Sequence, residues 1–307
     1  MIDILGKRYI FFAFSLVIII PGMILMAIWG LPFSIDFKGG SLLEAQFASG
    51  QAPPADQVRA VYSRLGITNV QISSSGPDVL VIRSSTLDDT ARGQILSDLS
   101  KQFNTTVTAN RFDNVGPSVS KEVADRALLA IGASSMALLL FIWYSFRGVQ
   151  HAFRYGVSMV VALFHDILII LSIVTVGGHF FGWQVDTLFL TALLTVIAFS
   201  AQDTIVIFDR LRENNGIFRK LEYERLANHS VVQSLTRSVN TQLMTVDFLL
   251  MALALFGGVT LREFSIILLI GMFSGSYSSD FIATPILVIW EKEEWRNWFR
   301  PKAQVAA

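Results

Sequence analysis

Six stretches of the chain stay apolar for about the length that a bilayer demands. A helix needs roughly 20 mostly apolar residues to cross the hydrocarbon layer. Residues 9–29, 127–146, 156–176, 187–208, 239–257 and 264–290 each supply them. Nearly a hundred residues part the first two stretches, whereas the last five follow in quick succession. Lys7 and Arg8 precede the first, as they would a signal peptide. However, 21 uncharged residues are long for a signal core, and no small-x-small cleavage site follows. That stretch is expected to be a retained anchor.

Between the first two stretches the period changes. Ser41–Phe47 alternates weakly and predicts a strand. Pro54–Leu65 opens on Pro-Ala-Asp and places Val58, Val61 and Leu65 at helical spacing. Asn69–Ser73 and Val79–Arg83 read as short strands around a Ser-Gly-Pro-Asp turn. Thr86–Phe103 repeats Leu87, Ala91, Ile95, Leu99 and Phe103 as a helix would, and Thr105–Phe112 is a last strand. The order β-α-β-β-α-β is the ferredoxin-like one. The expected fold class is therefore an α-helical integral membrane protein with six transmembrane helices plus one α+β ferredoxin-like external domain. The external segment carries no nucleophile–base pair, phosphate loop or metal-ligand spacing, so it is expected to be a contact domain without chemistry.

Lysine and arginine set the orientation. They flank the N-terminus (Lys7, Arg8), the segment after the second stretch (Arg147, Arg154) and the one after the fourth (Arg210, Arg212, Arg219, Lys220, Arg225, Arg237). The tail adds Lys292, Arg296, Arg300 and Lys302. The opposite segments are nearly bare: 177–186 has none, and 257–263 has Arg262 alone. Both termini are expected in the cytoplasm. The division is then 1–30 for the N-terminus and first helix, 31–122 for the external domain, 123–292 for helices two to six, and 293–307 for a cytoplasmic tail.

Composition agrees. Hydrophobic residues make up 52% and charged residues 16%, against about 45–50% and about 25% in soluble domains. Lys+Arg and Asp+Glu both number 24, which argues against a nucleic-acid partner. Without cysteine there is no disulfide scaffold, thiol catalysis or Cys-ligated metal. With four histidines a His-rich metal site is not expected either, nor is any organic cofactor.

Ionisable residues inside a span are costly, roughly 2.5–3.5 kcal/mol on insertion scales, and mark function by default. Asp203 sits among apolar residues about six positions before Asp209, which is about 9 Å of depth. Arg237, at the start of the fifth stretch, has a side chain long enough to point toward it. Gln202, Thr204, Asn240, Thr241 and Gln242 surround the pair with polar groups, which suggests a hydrated path rather than a static ion pair. His165-Asp166 interrupts the third stretch. Neighbours on a helix point about 100° apart, so the two are not expected to face one partner; packing and a place in the proton path are both open for them. Asp247 and Asp280 lie in the fifth and sixth stretches as further candidate protonation sites. Gly271, Gly275 and Ser279 recur every four residues and predict close helix packing.

Taken in order, Asp36-Phe37-Lys38-Gly39-Gly40, Val115-Gly116-Pro117-Ser118-Val119, His165-Asp166, the run from Asp203-Thr204-Ile205-Val206 to Asn214, and Arg237-Ser238-Val239-Asn240-Thr241 closely resemble the SecF side of the SecD/SecF family. That family belongs to the resistance–nodulation–division class of proton-coupled membrane proteins. The resemblance covers about residues 3–295. In place of the family's usual residues stand Gln202, where Asn is common, and Asp247 and Asp280, where uncharged residues are common.

The resemblance implies a multi-pass protein of the bacterial plasma (inner) membrane with a SecD partner. It implies use of the proton-motive force to assist late-stage preprotein translocation through the Sec channel (SecY, SecE and SecG), with the accessory YajC, unfolded preprotein and membrane lipid as further contacts. Asp203 and Arg237 match the family's proton-relay positions. Gln202, Thr204, His165, Asp166, Asn240, Thr241, Asp247 and Asp280 are candidate relay residues, and Gly39, Gly40, Gly116 and Pro117 candidate hinges. No covalent catalysis is expected, and the coupling ion is the proton or another monovalent cation. Two alternatives stand beside this: a proton-coupled small-molecule efflux transporter of the same superfamily, and a non-conducting membrane scaffold whose buried acids tolerate alanine.

Overall fold

The computed structural model describes residues 3–67, 69–242, 248–256 and 259–297, and 72% of the described residues are helical. A short 3-10 turn leads into α1 (Arg8–Trp29). The first half continues through α2 (Ile35–Lys38), β1 (Gly40–Phe47), α3 (Ala55–Arg64), β2 (Gln71–Ser74), β3 (Val79–Ser84), α4 (Asp89–Gln102) and β4 (Val107–Val115). Long helices follow: α5 (Pro117–Ser145), α6 (Ala152–Phe181), α7 (Thr187–Ile217) and α8 (Tyr223–Thr241). The chain ends through α9 (Phe248–Phe256), α10 (Val259–Ser278), a π turn at Ser279–Ala283, and α11 (Thr284–Glu291).

Among the described residues five helical stretches are long and apolar enough to cross a membrane: Leu5–Trp29, Pro117–Ser145, Ala152–Phe181, Thr187–Ile217 and Leu261–Glu291. The expected fifth span, 239–257, runs through residues 243–247 and 257, which lie outside the described residues. Two of these helices extend well beyond their apolar cores. α5 starts at Pro117 rather than Ala127, and Glu122 and Arg126 pair one turn apart at 2.6 Å along the added turns. α7 continues past Phe208 to Ile217, with the ion pairs Asp209–Arg212 (2.5 Å) and Arg210–Glu213 (2.8 Å) along it and Leu211 and Asn214 still buried. The cationic segment read as a loop after the fourth span is thus mostly the end of α7 and the start of α8.

The chain divides into two compact units. One comprises residues 31–130 and 177–190. Its sheet is antiparallel in the order β2-β3-β1-β4, with one register shift between Glu44 and Ala45. Alternation along β1 buries Leu43, Ala45 and Phe47. Val58, Val61 and Tyr62 from α3, with Ile95 and Leu99 from α4, complete that core. Asp88 caps α4 by accepting the Ala91 amide at 2.7 Å. Ser41 Oγ accepts the Leu87 amide (2.7 Å), while Asn114 donates to the Leu87 carbonyl (2.7 Å), so the approach to α4 is fixed to β1 and β4.

Residues 31–38 form a strap within this unit. Phe33 bridges to Val185, and Ser34 donates to the Val185 carbonyl at 2.9 Å. Asp36 Oδ2 accepts both the amide and the hydroxyl of Thr187 at 3.0 Å, at the first residue of α7. Asp186 caps the same helix through the Phe189 amide (2.7 Å). Burial, with the Asp36 charge adding to it, pushes the Asp186 carboxyl above the ordinary aspartate range. The strap ends at Gly39 (φ +77°) and Gly40 (φ +128°). A Cβ on Gly40 would lie 2.5 Å from the Ser84 carbonyl oxygen, so both its conformation and its space require glycine. Around Gly116 a Cβ would meet nothing within 4 Å, and Pro117 opens α5.

The other unit comprises residues 1–30, 131–176 and 191–307. Here the small-residue stripe of α10 lies against α7. A Cβ on Gly271 would stand 2.3 Å from Val196 Cγ2, and one on Gly275 3.0 Å from Ser200 Cβ. Gly22 of α1 approaches Ser172 of α6 in the same way, with 2.1 Å to its Cβ. At one end the chain's first residues join the start of α8 and the segment after α11. Asn228 Oδ1 accepts the amides of Ile4 (2.8 Å) and Leu5 (3.1 Å). Arg8 binds Glu224 (2.8 Å) and both carboxylate oxygens of Glu294 (2.7 Å), and Lys292 binds Glu222 (3.1 Å) and Glu224.

Candidate functional site

Helical spacing explains how α7 builds a polar seam. Ser200, Asp203 and Thr204 stand at i, i+3 and i+4, so they share one face, and all three are buried. That face meets the hydroxyl-rich end of α10. Ser276 Oγ donates to Asp203 Oδ2 at 2.7 Å. Thr204 and Ser279 hydroxyls lie 2.8 Å apart, and Ser279 also donates to the Ser200 carbonyl at 3.1 Å. The π turn follows at once, and it buries Ser279, Asp280, Ile282 and Ala283.

Asp166 is the most enclosed acid of the seam, with 1% of its surface exposed. Its Oδ2 accepts the hydroxyls of Ser200 and Ser278, and its Oδ1 that of Ser274, each at 2.7 Å. His165 Nδ1 lies 3.2 Å from Oδ1, while its Nε2 meets Ser15 Oγ of α1 at 2.8 Å. A neutral imidazole protonated on Nδ1 satisfies both contacts. Its ring stacks on Tyr277 at 6.1 Å, and the Tyr277 hydroxyl donates to the Phe11 carbonyl at 2.7 Å. As expected of neighbours on a helix, the two face different partners, Ser15 of α1 for His165 and the serines of α7 and α10 for Asp166. Their directions do diverge on the helix, but α1 and α10 close on α6 from two sides, and His165 turns its ring back onto Asp166.

Asp203 and Arg237 do not form an ion pair among the described residues. Arg237 is exposed on α8, and its charge reaches Asp203 only through the field. Gln202, Asn240 and Thr241 are also exposed, whereas Thr204 is buried. Gln242 is buried and donates to the Met272 carbonyl at 2.8 Å. Asp247 lies outside the described residues. Asp280 is 3% exposed, and its Oδ1 has no hydrogen-bond partner. Sequence reading missed Ser15, Ser200, Ser274, Ser276 and Ser278. The signal was the run Ser274-Gly-Ser-Tyr-Ser-Ser-Asp280, of which only Asp280, as an acid, and Gly275 and Ser279, as small residues, were singled out. Among the described residues no group of three or more His, Asp or Glu gathers as a metal site.

The family described as "Protein export membrane protein SecD/SecF, C-terminal" matches residues 95–293. The chain is 59% identical to the protein translocase subunit SecF of Anaerolinea thermophila over the whole length of both chains. It is 39% identical to that of Thermobaculum terrenum, over 100% of this chain and 99% of that one. A crystal structure of SecDF from Thermus, described as a translocon-associated membrane protein, superposes with a TM-score of 0.82 at 26% identity. The match covers 95% of this chain and 39% of that longer one. The chain belongs to the SecD/SecF family of protein export membrane proteins, on its SecF side, and is a multi-pass membrane protein.

Proposed function

We propose that the chain is a protein-export subunit that, with a SecD partner, uses the proton-motive force to assist late-stage preprotein translocation through the Sec channel. Asp203 carries the reading. It is a carboxyl 9% exposed within a membrane helix, held by one hydroxyl, with a cationic residue in electrostatic reach rather than in contact. Such an acid can take up and release a proton when Arg237 approaches or withdraws, because the separation of the two charges alters proton affinity. One charge crossing 100 mV releases about 2.3 kcal/mol. Asp166, with its hydroxyl cradle, and Thr204 lie along the same seam and extend the path.

The work leaves the membrane as rocking of this chain's spans against those of SecD. Gln202, Arg237, Asn240 and Thr241 are polar and exposed on this chain, which suits a face that a partner covers rather than lipid. The reading takes residues 239–257 as the fifth of six spans, with both termini cytoplasmic in the bacterial inner membrane and a ferredoxin-like domain outside; five apolar helices of spanning length among the described residues support it. The strap and Gly39-Gly40 would pass motion to that domain, with Gly116-Pro117 at its other junction, and the domain would hold or release the emerging chain. SecY, SecE, SecG, YajC and preprotein are the proposed contacts. No covalent step, metal or organic cofactor enters the mechanism.

The test is export into inverted vesicles, with and without a proton gradient, using Asp203→Asn together with SecD. Gradient-dependent stimulation should disappear while the pair still co-purifies. Undiminished stimulation would remove Asp203 from the mechanism, and equal export with and without the gradient in the unaltered protein would favour a scaffold.

A further inference from the structure

We propose that Asp280 is itself a proton-binding residue and forms, with Asp203, one buried two-carboxyl site that holds a single proton between them. The proposal deepens the reading of Asp203 as the proton-carrying acid and rests on it.

The first observation is an orphaned atom. Buried carboxyl oxygens ordinarily have a hydrogen-bond partner, and every contact of Asp166 is filled by serines or histidine. Asp280 is as enclosed, at 3% exposure, yet its Oδ1 meets no donor. An ionised carboxylate left so is strongly disfavoured in a membrane interior. The surroundings suit a carboxyl that carries its own proton.

Its position points at Asp203. Asp280 stands four residues after Ser276, on the same helical face, and the Ser276 hydroxyl is the one that binds Asp203 at 2.7 Å. Ser279, the residue before Asp280, meets Thr204, the residue after Asp203, at 2.8 Å. Those two hydrogen bonds hold the α7 segment that carries Asp203 against the turn that carries Asp280, and the Asp203 charge acts on the Asp280 carboxyl. Two neighbouring buried carboxyls do not both ionise readily, and the pair keeps one proton. The π turn at Ser279–Ala283 is the backbone device that sets Asp280 here, and such turns recur at functional sites.

The other groups around the turn leave that pairing undisturbed. From α6 come His165 and Asp166, which are committed to one another and to serines. α10 contributes Tyr277, bound to Phe11, and α11 contributes Thr284, bound to the Ser279 carbonyl at 3.3 Å. α1 presents Phe11, whose ring packs on Phe281 at 4.4 Å. Arg237 of α8 acts on Asp203. The transfer balances: the O–H bond of the Asp280 acid breaks as one forms on the Asp203 carboxylate, and the negative charge moves the other way.

The test uses the chain assembled with its SecD partner in proteoliposomes. Proton uptake is followed with an internal pH dye, and infrared difference spectra over a pH titration follow the carboxylic acid C=O band. Asp280→Asn should lower proton flux about tenfold or more, shift its pH profile, and remove one carboxylic acid band, and Asp280→Glu should restore the band and part of the flux. Wild-type flux and pH profile in Asp280→Asn, or an unchanged acid band, would overturn the proposal. If Asp280→Asn does not assemble, the Asp280→Glu spectrum decides: a displaced band supports the site, and an unmoved one overturns it. A silent Asp203→Asn would sink the underlying reading, whereas loss in Asp203→Asn beside a silent Asp280→Asn would sink this one alone.

Discussion

Asp166 shows how one side chain can join three helices, with its neighbour His165 adding a fourth. Its carboxylate receives three serine hydroxyls and stands beside His165, which reaches Ser15 of α1. Interhelical hydrogen bonds in membranes average about 0.6 kcal/mol and reach about 1.7, so Asp166→Ala should destabilise the protein by about 2–4 kcal/mol. Asp166→Asn keeps an acceptor and should lose less. Thermal unfolding in detergent measures both, and an Asp166→Ala protein as stable as wild type would contradict the cradle. The residue itself was visible in the sequence, because a charge in an apolar run stands out. Its partners were not. Serines are small and weakly polar, so a hydroxyl that donates to a carboxylate and one that merely lets helices approach leave the same trace in a hydropathy pattern. Only the facing of α7 and α10 separates them.

At the scale of elements, periodicity located the strands and short helices of the sheet-bearing unit to within a few residues, since each buries one face. β1 was read from Ser41 and begins at Gly40; the helix read as Pro54–Leu65 is Ala55–Arg64. The ends of the long helices were less legible, because both α5 and α7 run beyond their apolar cores through segments that carry i,i+4 and i,i+3 ion pairs. The order of the sheet, β2-β3-β1-β4, depends on contacts far apart in sequence and left no local signal. The stripe on α10 was legible, and the structure supplies its partner. Gly271→Ala would drive a methyl to 2.3 Å from Val196 Cγ2 and should cost about 1–3 kcal/mol by overpacking. Gly132→Ala, where a Cβ meets nothing within 4 Å, should be neutral or slightly stabilising. Melting temperatures of the two variants side by side test the packing. Equal values would mean that α7 and α10 do not approach this closely.

Over the whole molecule, helices that cross a membrane need fastening outside it, where water screens each ion pair. In the helical unit that fastening joins the chain's beginning, its middle and its far end through Arg8, Glu224, Lys292 and Glu294. Lys292 beside it, with Arg8 adding and partial burial opposing, holds the Glu224 carboxyl below its ordinary value of 4.5. A carboxyl depressed in the folded state contributes stability that is fully present above its unfolded value and is lost as pH falls through the folded one. The more exposed Lys292 pairs are each worth less than about 1 kcal/mol, but Lys292 shares Glu224 with the buried Arg8, and the pairs should fail together. Lowering the pH from about 7 to about 3 should therefore reduce the melting temperature of wild type more steeply than that of Glu224→Gln, with the two curves converging at the acid end. Parallel curves would show that Glu224 binds protons alike in both states. Raised salt at neutral pH should narrow the same gap, since screening weakens the ion pairs and leaves the packing of the spans untouched.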